Sequence, residues 1–141
     1  MLRTFLPSVV RYSKGEGIEV CVADNGSTDD SVALLQQEFP SVRTIVLDRN
    51  YGFCRRIQFG ITAGRCRICS AFELDVEVTE HWLEPMVAYL DAHPEVAACQ
   101  PKIRSQRQKE YFEYAGAAGG FIDKYGYPFW SGAYNGRCGE R

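Results

Sequence analysis

A surplus of charge of one sign is missing from this chain of 141 residues: sixteen Lys and Arg face eighteen Asp and Glu, a formal net charge of -2. Sequence-independent attraction to a phosphate backbone or an acidic membrane surface is therefore not built in, and no nucleic-acid partner is expected. No apolar run reaches the roughly 18 to 20 residues of a bilayer span, so no transmembrane segment is expected. Met1 to Ser13 has too short an apolar stretch and no small-residue cleavage site for a secretory signal, so the expected location is cytoplasmic. The six cysteines fall well short of the density of a disulfide-stapled scaffold, and their thiols are expected to stay reduced. Histidine is nearly absent, and His81 and His93 are isolated. Cys66-Arg67-Ile68-Cys69 is a C-x-x-C, but tetrahedral zinc takes four ligands and neither a second pair nor a histidine cluster lies at suitable spacing.

What is present is ordinary for one globular domain, with 45% hydrophobic and 24% charged residues. Leu2, Phe5, Leu6, Val9 and Val10 recur at helical spacing and predict a helix from Met1 to about Tyr12. Ile18 to Ala23 reads as a strand buried on both faces of a parallel sheet. Asp24-Asn25-Gly26-Ser27 is a turn. Ser27 with Asp30 resembles a capping box, and Val32, Leu34, Leu35 and Phe39 supply a helical stripe that Pro40 ends. Val42 to Leu47 reads as a second strand, and Asp48 to Phe53 as the loop that leaves it. Cys54 to Leu74 shows no clean period. Thr79 is placed to cap a helix with Trp82, Leu83, Met86, Val87 and Leu90 on its buried face, and Val96 to Ile103 is a further strand candidate. Tyr111 to Tyr127 reads as a loop or irregular hairpin. The alternation of helix and strand predicts an α/β fold, a mostly parallel sheet flanked by helices.

Two acidic motifs stand out. Asp24 closes the first strand, where open α/β sheets bind ligands and where a carboxylate can accept from a nucleobase N–H or a ribose hydroxyl; a plain turn and helix cap would use the same residues. Asp75 and Glu77 stand at i and i+2, so in an extended segment both point the same way and offer oxygen ligands suited to Mg²⁺ or Mn²⁺; a lone pair of acids is more often solvated surface. Asn50-Tyr51-Gly52-Phe53 adds a glycine that lets the backbone turn close to a ligand.

In order, Val22-Ala23-Asp24-Asn25-Gly26-Ser27-Thr28-Asp29, Leu47-Asp48-Arg49-Asn50-Tyr51-Gly52-Phe53 and Leu74-Asp75-Val76-Glu77-Val78 resemble the D-N-x-S-x-D, N-x-G-F and L-N-x-D-V-E-V stretches of the family 2 glycosyltransferases. Trp82-Leu83-Glu84-Pro85 and Cys99-Gln100-Pro101-Lys102 look like the stretches that follow. The resemblance covers most of Met1 to Phe129. It implies a partial, Rossmann-like GT-A fold lacking the usual first strand, in a single partial domain over residues 1–141. It further implies a nucleotide-diphospho-sugar donor and an acceptor hydroxyl on a glycan or lipid-linked sugar. The setting it implies is polysaccharide assembly at the inner face of a bacterial membrane. By the same resemblance Asp24 would contact the nucleobase, and Asn25, Ser27 and Asp29 would shape that loop. Asn50 and Gly52 would line the donor, and Asp75, with Glu77 as a second candidate, would hold the divalent metal on the diphosphate.

Two segments depart from the family. Where A-G-G-Y-N and a strand ending L-L-N are usual, Cys54 to Leu74 carries four Arg and three Cys. Read one base later with suitable synonymous codons, residues 54–74 can spell AGGYNLGL, a free position, Q, a second free position and DAEYVVLLNS. The same shift in residues 130–141 gives a family-like GRGRIMD continuation. Both segments are therefore expected to be frameshifted; codons that give stops or unrelated residues in the shifted frame would refute this. The family's catalytic base resembles a residue beyond Arg141, and the fragment is expected to be poorly stable and inactive. A different class of function, a small Mg²⁺-binding or receiver-like module, would use Asp24 and Asp75 with Lys102 at the end of a late strand.

Overall fold

The computed structural model describes residues 1–63, 66–113 and 120–130. The chain divides into two compact units, Met1–Pro85 and Met86–Arg141. In the first, α1 (Leu2–Tyr12) buries Leu2, Leu6 and Val9 along one stripe, the i, i+4, i+7 spacing of a helix face. The Met1 carbonyl accepts from the N–H groups of Thr4 and Phe5, and Arg11 in the last turn suits the negative end of the helix dipole. After it come β1 (Cys21–Asp24), α2 (Ser31–Glu38), β2 (Arg43–Val46) and α3 (Gly52–Ala63).

The two strands pair in parallel, from Cys21 opposite Arg43 to Asp24 opposite Val46. The ladder continues at both ends, with Arg43 N–H on the Val20 carbonyl at 3.0 Å and Leu47 N–H on the Asp24 carbonyl at 2.9 Å. Helix α2 packs on β2 and α3 on β1, so a small parallel sheet flanked by helices is the core architecture among the described residues. Gly60 of α3 approaches β1 closely enough that a Cβ there would stand 3.9 Å from the Ala23 Cβ.

Leu35 of α2 is fully buried and joins Leu2, Leu6, Val9 and Val78 in one apolar cluster. Each such side chain contributes about 1.5–3 kcal/mol when fully buried. Burial then alternates along the segment after α3: Leu74, Val76 and Val78 pack inward, and Asp75 and Glu77 are exposed. Val78 N–H donates to Ser8 Oγ of α1 at 3.2 Å, which fixes the register of that segment on the helix. A bidentate contact, with Arg3 Nη2 donating to Glu38 Oε1 at 2.6 Å and Nε to Oε2 at 3.2 Å, ties α1 to α2.

Several expectations are corrected. β1 is not buried on both faces: Cys21 is exposed and Val22 and Ala23 are half-buried. The capping box at Ser27 does not form. Helix α2 starts at Ser31, and the nearby side-chain contact is Ser31 N–H on Asp29 Oδ1 at 3.0 Å. Residues 52–63 are helical although no clean period marks them, because the helix exposes Phe53, Arg55, Gln58, Phe59, Ile61 and Thr62 and so writes no buried stripe into the sequence. Arg55 and Arg67 are exposed, so no burial cost falls on these two arginines; Arg65 lies outside the described residues. The next helix, α4 (Glu84–Ala92), begins five residues later than Thr79. His81 takes a left-handed φ of 59°, and Trp82 turns back to pack on the apolar cluster, its indole N–H donating to the buried Ser13 Oγ at 3.2 Å.

In the second unit, Val96 to Ile103 is not a strand. Nearly all of it is exposed, and Lys102 therefore does not end a late strand as a receiver would require. Arg104 and Phe112 instead meet in an isolated antiparallel bridge. A short hairpin follows, β3 (Gly120–Ile122) with β4 (Pro128–Trp130), closed by Asp123 Oδ1, which accepts from Tyr125 N–H at 2.8 Å and Tyr127 N–H at 2.9 Å. Of the stretch Tyr111 to Tyr127, read as a loop or irregular hairpin, the described part holds the first strand and the turn of this hairpin, and its second strand lies just beyond; residues 114–119 and 131–141 lie outside the described residues. Among the described residues no helix is long and apolar enough to cross a membrane.

Candidate functional site

The carboxyl ends of β1 and β2 carry two loops that close on each other. Asp24, the last residue of β1, is buried, and its Oδ2 accepts Ser27 N–H at 3.0 Å, which shapes the turn. The next residue ties the loops together. Asn25 Nδ2 donates to Asn50 Oδ1 at 2.9 Å and to the Gly52 carbonyl at 3.4 Å, and Asn25 Oδ1 accepts Tyr51 N–H at 2.9 Å. Asn50 Oδ1 also accepts Gly52 N–H at 2.8 Å. Asn25 thus spends its amide on the loop itself.

Gly26 permits this approach. Its φ is +75°, and a Cβ there would stand 2.6 Å from the Arg49 carbonyl carbon, far inside van der Waals contact. Gly52 also needs the left-handed region, with a φ of +76°, where it turns the second loop into α3. Asp29 stays at the mouth of α2, exposed, and hydrogen bonds from the Ser31 hydroxyl and then its N–H hold the carboxyl below the usual carboxylate range. Ser27 is exposed.

Asp24, Asn25, Gly52 and Asn50 are therefore brought to one edge of the sheet, at the position where α/β domains meet their ligands. Asp75 and Glu77 are placed in the same unit, exposed, on the side of their segment opposite Leu74, Val76 and Val78. Their oxygen donors, free of the apolar cluster, suit a hard divalent ion that completes its shell with water and phosphate oxygens. Among the described residues no group of three or more His, Cys, Asp or Glu is gathered to hold a metal.

One cluster at this edge was not singled out from the sequence. Tyr51 hydroxyl donates to Asp48 Oδ1 at 2.8 Å, the Arg49 guanidinium lies 5.0 Å from the Tyr51 ring centre, and Phe59 of α3, the helix this same loop enters, stands 5.3 Å from it. The signal available was the D-R-N-Y run itself, with an aromatic one residue from the turn glycine and a cation two before it.

Among the described residues, a β-α-β arrangement carries acid- and amide-bearing loops at the carboxyl ends of its parallel strands, which defines an α/β domain. The model of the family described as Glycosyl transferase family 2 matches residues 1–136. The chain belongs to that family, and its small parallel sheet flanked by helices is consistent with a partial GT-A fold. No curated protein and no solved structure matches the chain. Membership supports a glycosyltransferase-type function with a nucleotide-sugar donor and an acceptor, in a family that generally uses a divalent metal.

Proposed function

We propose that the edge formed by Asp24, Asn25, Ser27, Asp29, Asn50 and Gly52 receives the nucleotide-sugar donor, in a chain serving bacterial cell-surface polysaccharide or glycan synthesis. The observation that carries this reading is the clamp between Asn25 and Asn50, which holds two strand-end loops at one place in a family that uses such donors. Asp24 accepts from the nucleobase or ribose with the carboxylate oxygen that the Ser27 N–H leaves open. Asn25 and Gly26 fix the loop spacing, so the pocket edge exists before the ligand arrives and little ordering cost falls on binding.

Asp75, with Glu77 beside it, would hold the Mg²⁺ or Mn²⁺ that neutralises charge on the donor diphosphate. No catalytic base is assigned among these residues. The acceptor is a hydroxyl of a glycan or lipid-linked sugar, met at the membrane periphery.

Calorimetric titration with uridine- and guanosine-diphosphate sugars, each with Mn²⁺, tests the reading. Binding of one of them is expected, and Asp24→Asn should weaken it by roughly tenfold or more, since a hydrogen bond to a charged group is worth about 1.5–3 kcal/mol. Asn keeps an oxygen for Ser27 N–H, so the fold should be unchanged by circular dichroism. No binding of any donor, or equal binding by wild type and variant, refutes the site. Binding of acetyl phosphate with Mg²⁺ in place of the sugar nucleotides would favour the receiver-like module.

A further inference from the structure

We propose that Cys66 and Cys69 form an oxidisable dithiol that closes to an intrachain disulfide when a small-molecule disulfide such as oxidised glutathione is present. The C-x-x-C spacing sets the two residues on either side of the bend at Arg67 and Ile68, and both are exposed free thiols. Cys66 and Cys21 lie close enough to Cys69 to act on its thiol electrostatically, and Cys21, at the start of β1, is also an exposed thiol. Two exposed free thiols at this spacing can undergo thiol–disulfide exchange with an external disulfide.

The exchange balances in two steps. Cys66 thiolate attacks one sulfur of oxidised glutathione; the S–S bond breaks, a mixed disulfide forms on Cys66, and one glutathione thiolate leaves and takes up a proton. Cys69 thiolate then attacks the Cys66 sulfur and expels the second glutathione. Two protein thiols are oxidised and one external disulfide is reduced to two thiols. Burial, with Cys66 and Cys21 adding to it, holds the Cys69 thiol above its usual range, which suits it to the second, intramolecular step better than to the first.

Incubation of the full chain with oxidised glutathione, then alkylation, trypsin and mass spectrometry, tests this. Trypsin cuts after Arg65 and Arg67, so Cys66 and Cys69 fall on separate fragments that remain joined only through the new bond. With released glutathione held near 0.1 mM, the joined fragment should exceed the glutathione adduct on Cys66 by about tenfold, because thiols this close see each other at an effective concentration of about 1 mM or more. That ratio should fall several-fold in strong urea, where the native bend is lost. Cys66→Ser should abolish the joined fragment, and Cys21→Ser should leave it intact. Separate adducts on Cys66 and Cys69, a bond from Cys21 to either in preference, or an unchanged ratio in urea would overturn the proposal. Cys99, an exposed thiol of the second unit, reports on general oxidation in the same digest.

Discussion

Replacing Gly26 by Ala should unseat the two strand-end loops, and the structure allows the loss to be divided. The new Cβ would lie 2.6 Å from the Arg49 carbonyl carbon, 2.7 Å from its Cα and 3.0 Å from Asn50 N, all backbone atoms that cannot swing aside as a side chain does. Overpacking of that kind costs about 1–3 kcal/mol. The left-handed φ of +75° adds about 1 kcal/mol for any residue with a Cβ. Gly17 supplies the control, since its φ is +78° and nothing lies within 4 Å of where its Cβ would be. Gly17→Ala should therefore lose only the backbone part, about 1 kcal/mol, and Gly26→Ala about 3 kcal/mol. Urea unfolding followed by circular dichroism gives both values, with sucrose added equally to all three proteins if the weaker variant is too unstable to titrate. A second readout is local: amide exchange at Tyr51 and Gly52, whose N–H groups bond to Asn25 and Asn50, should quicken under native conditions in Gly26→Ala and not in Gly17→Ala. Equal destabilisation of the two variants within about 0.5 kcal/mol, with unchanged exchange at Tyr51 and Gly52, would refute the close approach of the loops.

Three further outcomes are expected. A double-mutant cycle on Asn25→Ala and Asn50→Ala, read by the same urea titration, should give a coupling of about 1 kcal/mol, and additivity would remove the clamp. Trp82→Phe keeps a ring on the apolar cluster but strips the Ser13 hydroxyl of its indole donor, and should cost about 1 kcal/mol in thermal or urea unfolding; no loss would show that the bond is idle. Hydrogen bonds lower the carboxyl pKa of Glu38 (from Arg3), Asp29 (from Ser31) and Glu84 (chiefly from its own backbone, then from His81). A lowered folded value means these groups add stability that is fully present above the ordinary carboxylate range and is lost as pH falls through their folded values. The thermal midpoint should therefore decline on acidification, the Glu38→Gln variant should decline less, and salt should narrow the difference because the Arg3 pair is fully exposed.

How much of this was legible in the sequence depended on where each signal was stored. Leu2, Leu6 and Val9 announced α1 because a buried stripe must repeat with the helix turn, and the apolar run before Asp24 announced a strand ending there. Helix α3 stayed hidden because its apolar residues are largely exposed and its close approach to β1 at Gly60 carries no hydrophobic signal. Val96 to Ile103 misled in the opposite way: apolar residues are there, but a strand needs a neighbour to pair with and these residues are mostly exposed. At the candidate site, the place of Asp24 was readable from the end of an apolar run. The Asn25 to Asn50 bond was not, since it joins residues 25 positions apart that look like two unrelated turns.

The hold of Val78 on Ser8, across 70 positions, has a consequence for how the chain comes off the ribosome. The sticky flank of the opening helix is translated long before Val78 and Trp82, the residues that roof it, so for that interval Leu35 and the half-buried Val20, Val22, Leu34 and Phe39 are what is on hand to shield it. Nascent chains stalled before Val78 should be the ones that chaperones recognise, and release of that recognition should coincide with the emergence of Trp82 from the exit tunnel.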